Sequence, residues 1–232
     1  MEGEVSVIVP TRNEAHNVPC FLRSLPANVL LIVVDASDDE TPTIIRRSRP
    51  FNTIIIRHPG NVTVARQIGA EAAITEWLLF TDADVLFDRD YFVNLSAHLQ
   101  GDAVYGPKHS LDRFSHYYRW FGQGQQWMHR LGIPAASGSN LLIRRPVFDA
   151  IGGFDLRLTV NEDSEIAWRV KRQGYRIAFA RDLVVYARDH RRLEYGRFRK
   201  TAHSLLRCAL LYSGLMPARW RSHDWGYWKQ RA

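Results

Sequence analysis

Four polar clusters carry residue types and spacings that can do chemistry. Asp82-Ala83-Asp84 follows directly on the apolar run Trp77-Leu78-Leu79-Phe80, so two carboxylates one residue apart stand where a buried strand should end. Side chains at i and i+2 of an extended chain face the same way, and two like charges that close repel unless something positive lies between them. Thr11-Arg12-Asn13-Glu14 and Asp35-Ala36-Ser37-Asp38-Asp39 stand in the same relation to two earlier apolar runs. The fourth cluster, Asn161-Glu162-Asp163-Ser164, heads the helical pattern Ile166-Ala167-Trp168-Arg169-Val170. Each also has a plain structural reading: loops are polar, Asp caps helices, and the dipole stabilises acids in a first helical turn by less than about 1 kcal/mol. What sets the first three apart is their shared position at strand ends.

The elements that would hold them can be read from the apolar pattern. Val5-Ser6-Val7-Ile8-Val9-Pro10 is short, β-branched and nearly uninterrupted, as in a strand buried on both faces, and Pro10 should stop it. A helix is expected over 15–25, a strand over 29–35, a helix over 40–47 capped by Asp38 or Asp39, a strand over 53–57, a helix over 64–74 and a strand over 77–80. Such alternation implies an α/β domain whose largely parallel sheet carries helices on both sides. Ligands of open sheets of this kind bind beyond the carboxyl ends of the strands, where the first three clusters gather.

Residues 108–138 are rich in aromatics and Gln, among them Tyr117, Tyr118, Trp120, Phe121, Gln123, Gln125, Gln126 and Trp127. Aromatic faces and amides can line a ligand site, but the same spacing is that of an amphipathic helix packing on a core, the reading preferred for Tyr118, Phe121 and Gln125. Ala135-Ala136-Ser137-Gly138-Ser139-Asn140 then leads into a strand over 141–144, and its small residues allow a substrate close to the backbone. Gly152-Gly153 allows the same, or makes a turn.

With 232 residues, 46% of them hydrophobic, the chain has room for one large α/β domain or two small ones. Cys20 and Cys208 match neither a disulfide framework nor a zinc spacing, which points to reduced thiols and a cytoplasmic setting. No signal peptide or run of about 18 apolar residues is seen, so no membrane span is expected. The net charge of +7 is a feature of one end: residues 188–232 hold eleven Lys and Arg against three acids, a net +8, leaving −1 for residues 1–187. Within that end, Leu205-Leu206-Arg207-Cys208-Ala209-Leu210-Leu211-Tyr212 flanked by Arg199, Lys200, Arg219 and Arg221 suits a helix lying on the inner face of the cell membrane. A helix packed on the domain with a solvated basic face is the alternative. Nucleic acid is not an expected partner, because the charge is not joined to a recognisable binding motif.

Six motifs occur in order: Val7-Ile8-Val9-Pro10-Thr11-Arg12-Asn13-Glu14, Val33-Val34-Asp35-Ala36-Ser37-Asp38-Asp39-Glu40-Thr41, Ala65-Arg66-Gln67-Ile68-Gly69-Ala70, Asp82-Ala83-Asp84, Ile151-Gly152-Gly153-Phe154-Asp155 and Asn161-Glu162-Asp163. Over residues 5–187 the chain resembles the nucleotide-sugar glycosyltransferases of family 2. The resemblance implies a Rossmann-like GT-A fold, an αβα sandwich with a predominantly parallel mixed sheet. Residues 1–187 would form the catalytic domain, with a nucleotide half of about 1–107 and an acceptor half of about 108–187, and residues 188–232 a basic, aromatic, partly helical tail.

It further implies that Thr11, Arg12, Glu14 and Asp35 line the base and ribose pocket, with Arg66 near the diphosphate. Asp84 would bind Mg2+ or Mn2+ directly, while Asp82 reaches the metal through water or holds a ribose hydroxyl. His190 is the candidate to complete the metal site, an ordinary loop histidine being the alternative, and His109 and His203 stand further off. Asp163 would be the general base. The implied activity is metal-dependent, inverting transfer from a nucleoside-diphosphate sugar to an acceptor hydroxyl or lipid phosphate, in cell-surface glycan or glycolipid assembly. Two departures leave the base open: Val34-Asp35 stands where two acids are common, and Gln67 where Asn is common. A nucleotide-sugar-forming nucleotidyltransferase would carry a Gly-rich loop with Lys or Arg after the first strand, which Pro10-Thr11-Arg12-Asn13 is not. A non-catalytic binding module of the same fold would be marked by loss of Asp84 or Asp163, and both are present.

Overall fold

A computed structural model describes residues 3–188 and 197–222, those at 197–202 by their backbone alone. The first half alternates strand and helix as the pattern requires: β1 (Val5–Thr11), α1 (Val18–Arg23), β2 (Leu30–Asp35), α2 (Thr41–Ser48), β3 (Thr53–Arg57), α3 (Val62–Ala72) and β4 (Trp77–Phe80). Next come β5 (Val85–Phe87), α4 (Tyr91–Leu95), β6 (Ala103–Tyr105), β7 (Lys108–Ser110), α5 (Ser115–Arg130), β8 (Leu141–Arg144) and α6 (Arg145–Ala150). The chain continues through α7 (Glu162–Arg172), β9 (Ile177–Phe179), β10 (Val185–Ala187), α8 (Arg197–Tyr212) and α9 (Ala218–Arg221).

Among these residues a seven-stranded sheet runs in the order β3-β2-β1-β4-β8-β6-β9, and a smaller sheet in the order β5-β10-β7. Strands β1 to β4 are mutually parallel, while β8 runs antiparallel to both β4 and β6. The large sheet is therefore mixed and mainly parallel, as expected. Alternation along its central strands sorts the core into two layers. Val7, Val9, Leu31, Val33 and Leu79 meet Val18, Phe21 and Ile45 on one face, and Ile8, Ile32, Leu78 and Phe80 meet Ala70, Phe148, Phe154, Ile166 and Val170 on the other. Gly69 lets α3 lie close to β1, because a Cβ there would overlap Ile8.

Several boundaries differ from expectation, three of them for clear local reasons. Pro10 does not stop β1: it lacks only a donor, and Thr11 beyond it still accepts from the Ala36 amide at 2.9 Å. Helix α1 starts late because Asn13 takes a left-handed φ of 56° and the chain turns before Pro19. Helix α3 starts early because the Asn61 side chain caps it, accepting from the Val64 amide at 3.0 Å. The N-cap of α2 is Glu40 rather than Asp38 or Asp39, and Asp39, one residue earlier, accepts from the Thr41 amide at 2.9 Å.

The aromatic segment forms α5, burying Tyr118, Gly122 and Gln125 on one side and exposing Trp120 and Trp127 on the other. At the C-terminal end, α8 packs on α7: Trp168 stacks near Tyr212 with ring centroids 4.8 Å apart and donates to its carbonyl. Leu158, Leu211 and Met216 form a small cluster beneath it. Arg207, expected on a surface-lying helix, is instead 1% exposed, while Leu205 and Leu206 face out. No helix among the described residues is long and apolar enough to cross a membrane.

Candidate functional site

A cleft opens beyond the carboxyl ends of β1, β2 and β4. Its walls are Pro10, Thr11, Arg12 and Glu14 after β1, Val34 and Ala36 at the end of β2, His58, Gly60, Asn61, Val62 and Ala65 around the start of α3, and Asp82, Ala83 and Asp84 after β4. The loops after β1 and β2 are tied together. The Asn13 amide donates to Ser37 Oγ at 2.8 Å, the Asp38 amide to Asn13 Oδ1 at 2.9 Å, and the Glu14 amide to Thr41 Oγ1 at 2.9 Å. Glu14 itself accepts from Asn17 Nδ2 at 2.7 Å. Arg12 is exposed on the rim.

Asp35 lies behind the wall rather than in it. Its side chain is fully buried, accepts from Thr11 Oγ1 at 2.8 Å and Ser37 Oγ at 2.6 Å through one oxygen, and pairs with Arg57 through the other. It sets the position of Thr11, which does face the cleft. Arg66 is likewise turned inward. At 3% exposure its guanidinium pairs with Glu162, donates to Asp82 Oδ1 at 2.7 Å and donates to the Gly138 carbonyl at 3.0 Å. Gly138 has the role of admitting Arg66, since a Cβ there would overlap the guanidinium.

The two acids after β4 part company. The segment between β4 and β5 turns rather than staying extended, so Asp82 and Asp84 have different partners. Asp82 is held on both oxygens, by Arg66 and by Ser139 Oγ at 2.5 Å. Among the described residues, Asp84 Oδ1 is buried with no hydrogen-bond partner, and Lys108 Nζ lies 4.0 Å from it. A buried carboxylate oxygen without a partner is costly unless something occupies it. Its hard oxygen suits Mg2+ or Mn2+, and Mg2+ commonly takes only one or two carboxylates from a protein and the rest from phosphate and water. Among the described residues no three His, Cys, Asp or Glu gather as a self-sufficient metal site. His190 lies outside the described residues, and His109 sits in β7 beside Tyr186, their ring centroids 6.4 Å apart.

Glu162 and Asp163 open α7 at the far side of Arg66. Asn161, before them, adopts a left-handed φ of 62°, which turns the chain sharply into the helix. Asp163 accepts from the Gly138 amide at 2.6 Å and from the Ser164 amide at 2.6 Å, one bond on each oxygen. Each oxygen keeps a second lone pair for a hydroxyl. Burial pushes the Glu162 carboxyl up to about 7; Arg66 opposes the rise, while Asp163 and Asp82 add to it.

Of the residues singled out in the sequence, Thr11, Arg12, Glu14, Asp82 and Asp84 line the cleft, while Asp163 is outside that lining and is linked to Asp82 through Gly138 and Arg66. Sequence reading missed His58, Gly60, Asn61, Lys108 and Ser139. Asn61 was findable as a cap residue before an apolar helical run. Lys108 follows the short apolar run Ala103-Val104-Tyr105, another strand end.

A mainly parallel α/β sheet with an acid pair beyond a central strand, and helices on both faces, is the architecture of the GT-A glycosyltransferases. The model of glycosyl transferase family 2 matches residues 6–152, and that of glycosyl transferase family 21 matches residues 119–217. The chain belongs to glycosyl transferase family 2. Among curated proteins it is 26% identical over 195 residues to the succinoglycan biosynthesis protein ExoA of Rhizobium meliloti, covering 74% of this chain and 59% of that protein. It is 27% identical over 175 residues to the O-antigen chain rhamnosyltransferase WbaN of Salmonella anatum, covering 67% and 55%. The chain thus spans little more than half the length of these relatives. Among solved structures, the mannosyltransferase PcManGT of Pyrobaculum calidifontis, in complex with GDP-Man and Mn2+, superposes with a TM-score of 0.69 at 20% identity, covering 94% of this chain and 72% of that one. S. aureus TarS 1-349 in complex with UDP-GlcNAc gives 0.66 at 18% identity, with the same two coverages of 94% and 72%.

Proposed function

We propose that the chain is a metal-dependent, inverting glycosyltransferase that moves a sugar from a nucleoside-diphosphate sugar to an acceptor hydroxyl. The observation that carries this reading is the partnerless, buried Asp84 Oδ1 on one side of a network whose other side is Asp163. The network runs from Asp82 through Arg66 to Glu162, with Gly138 bonded to both Arg66 and Asp163. In this reading Thr11, Arg12 and Glu14 meet the base and ribose, with Asp35 fixing Thr11 from behind. Arg66 orients Asp82 and the start of α7 and does not itself grip the diphosphate. Asp84 would hold Mg2+ or Mn2+, with Asp82 acting through water or on a ribose hydroxyl; a bound dication would neutralise the charge of the departing nucleoside diphosphate.

Asp163 takes the proton of the acceptor hydroxyl while that oxygen attacks the anomeric carbon from the face opposite the diphosphate. The bond from anomeric carbon to diphosphate oxygen breaks with its electron pair, so the nucleoside diphosphate leaves and the configuration inverts. The donors of PcManGT and TarS support a nucleoside-diphosphate sugar as the donor class, and the roles of ExoA and WbaN support an acceptor in cell-surface glycan assembly. The division near residue 107 into nucleotide and acceptor halves belongs to the same proposal. Incubation of purified protein with MnCl2 and a panel of UDP and GDP sugars, with nucleoside diphosphate as readout, tests it. Release that vanishes in Asp84→Ala and Asp163→Ala is the expected result; silence with every donor, or full activity in Asp84→Ala, overturns it.

A peripheral membrane contact is proposed for the C-terminal region, on the exposure of Leu205, Leu206 and Leu215 beside Arg219 and Trp220. Co-sedimentation with anionic but not neutral vesicles, reduced in Leu205→Ser/Leu206→Ser, is expected; binding to neither kind of vesicle overturns it.

A further inference from the structure

Lys108 stands where a metal-binding carboxylate meets a second cation. It is the first residue of β7, paired opposite Val185 of β10, and its side chain is 14% exposed. The approach to it is fixed by Gly106, where a Cβ would overlap the Leu183 carbonyl. Its Nζ donates to Ser139 Oγ at 3.1 Å, and Ser139 in turn donates to Asp82. The same ammonium is 4.0 Å from Asp84 Oδ1, too far for a hydrogen bond and close enough for strong attraction.

Two consequences follow from charge alone. A dication held on Asp84 at about 2.0–2.2 Å lies within roughly 6 Å of this ammonium, whatever its direction, and the two repel. Arg66 already meets Asp82, though it is shared with Glu162, and Lys108 stands beside Asp84, so part of the negative charge that would attract free metal is offset by the protein itself. A diphosphate reverses the balance, because it supplies several negative oxygens that a lysine can meet as a point charge.

We propose that Lys108 is a fixed cation of the donor site, which opposes a free dication at Asp84 and takes the donor's diphosphate as its partner once one is bound. This rests on reading the cleft as a nucleotide-sugar site. Metal then binds tightly only with or after the nucleotide.

The test uses two neutral variants, Lys108→Met and Lys108→Gln, the second keeping a donor for Ser139, and the charge-preserving Lys108→Arg; circular dichroism and thermal melts check that each folds. Mn2+ binding without nucleotide is read from the EPR signal of the free ion, and UDP and GDP binding is read calorimetrically in EDTA. Both neutral variants should bind Mn2+ at least about tenfold more tightly than wild type and the nucleotide at least about tenfold more weakly, while Lys108→Arg stays within about threefold on both. Opposed signs separate a charge effect from general damage, which weakens both. Unchanged or weaker Mn2+ binding in a folded neutral variant, beside normal binding by wild type, overturns the role of Lys108 alone. Failure of the wild type to bind a nucleoside diphosphate even with Mn2+ present overturns the reading of the site and this inference with it.

Discussion

Arg66, in the middle of α3, pairs with Glu162 at the first position of α7 and with the same guanidinium holds Asp82 beyond β4. One buried cation thus fixes two acids that the chain supplies far apart. Removing it leaves the buried Glu162 without its partner and Asp82 with Ser139 alone, and breaking a buried pair in this way typically costs about 3–5 kcal/mol. Arg66→Ala should therefore lower the urea midpoint sharply. Arg66→Lys should recover only part of the loss, because an ammonium cannot reproduce a planar fork that serves Asp82, Glu162 and the Gly138 carbonyl together. Equal stability of Arg66→Ala and wild type would remove Arg66 from the architecture of the site.

Glu162 gives the pH dependence of stability a definite sign. Its folded pKa is raised to about 7 from 4.5, mainly by burial, so the folded state holds the proton more firmly than the unfolded chain. Its contribution is complete below about pH 4.5 and is lost as pH rises through about 7. Glu162→Gln carries no such titration. The stability difference between Glu162→Gln and wild type should shift in favour of the variant across pH 4.5–7 and level off above, as measured by urea unfolding at each pH; a difference that is flat with pH contradicts it.

Gly138 is the third place where one atom decides the geometry. A Cβ there would overlap the Arg66 guanidinium, while its amide donates to Asp163 at 2.6 Å. Gly138→Ala should push Arg66 off Asp82 and loosen Asp163 at once, costing about 1–3 kcal/mol as overpacking does. Transfer activity should fall far more than stability alone explains, with kcat affected more than the donor KM. A fall confined to KM would instead point to Gly138 as a donor contact.

Much of this was legible in the sequence where a local rule applies. The strands over 53–57 and 77–80 agree with β3 and β4 because short apolar runs bounded by polar residues have few alternatives, and the acids at the ends of β2 and β4 mark the ligand side of the sheet. Asp35 and Arg66 show the limit. Both were expected to face the ligand, and whether a charge at a strand end points into the cleft or behind it depends on partners such as Arg57 and Glu162, which only the fold brings near. The extended geometry expected of Asp82 and Asp84 failed for a related reason: Arg66 and Ser139 draw Asp82 one way, leaving Asp84 to the cleft and Lys108. Lys108 and Ser139 had no motif around them, and their meaning comes from tertiary contact.

Arg207 reversed its reading most fully. Seen along the chain it is a charge interrupting an apolar run; in the fold its guanidinium is enclosed, donating to the Trp220 carbonyl at 2.6 Å and to Asn161 Oδ1 at 3.2 Å. Burial lowers its pKa, with the neighbouring Cys208 and Glu162 opposing. Asn161 is the left-handed residue that aims Glu162 and Asp163, and it also donates to Ser204 Oγ at 3.0 Å, so α8 grips the start of α7 from two side chains. Arg207→Ala removes a buried guanidinium and leaves its half-buried acceptors without that donor, and should cost about 1–3 kcal/mol. The loss should be local as well as global. By hydrogen exchange, amides in the first turn of α7 should exchange faster in Arg207→Ala under conditions where those of β1 keep their protection, and transfer activity should fall with them. If α7 and β1 lose protection together, Arg207 supports the whole domain and has no special hold on Asp163.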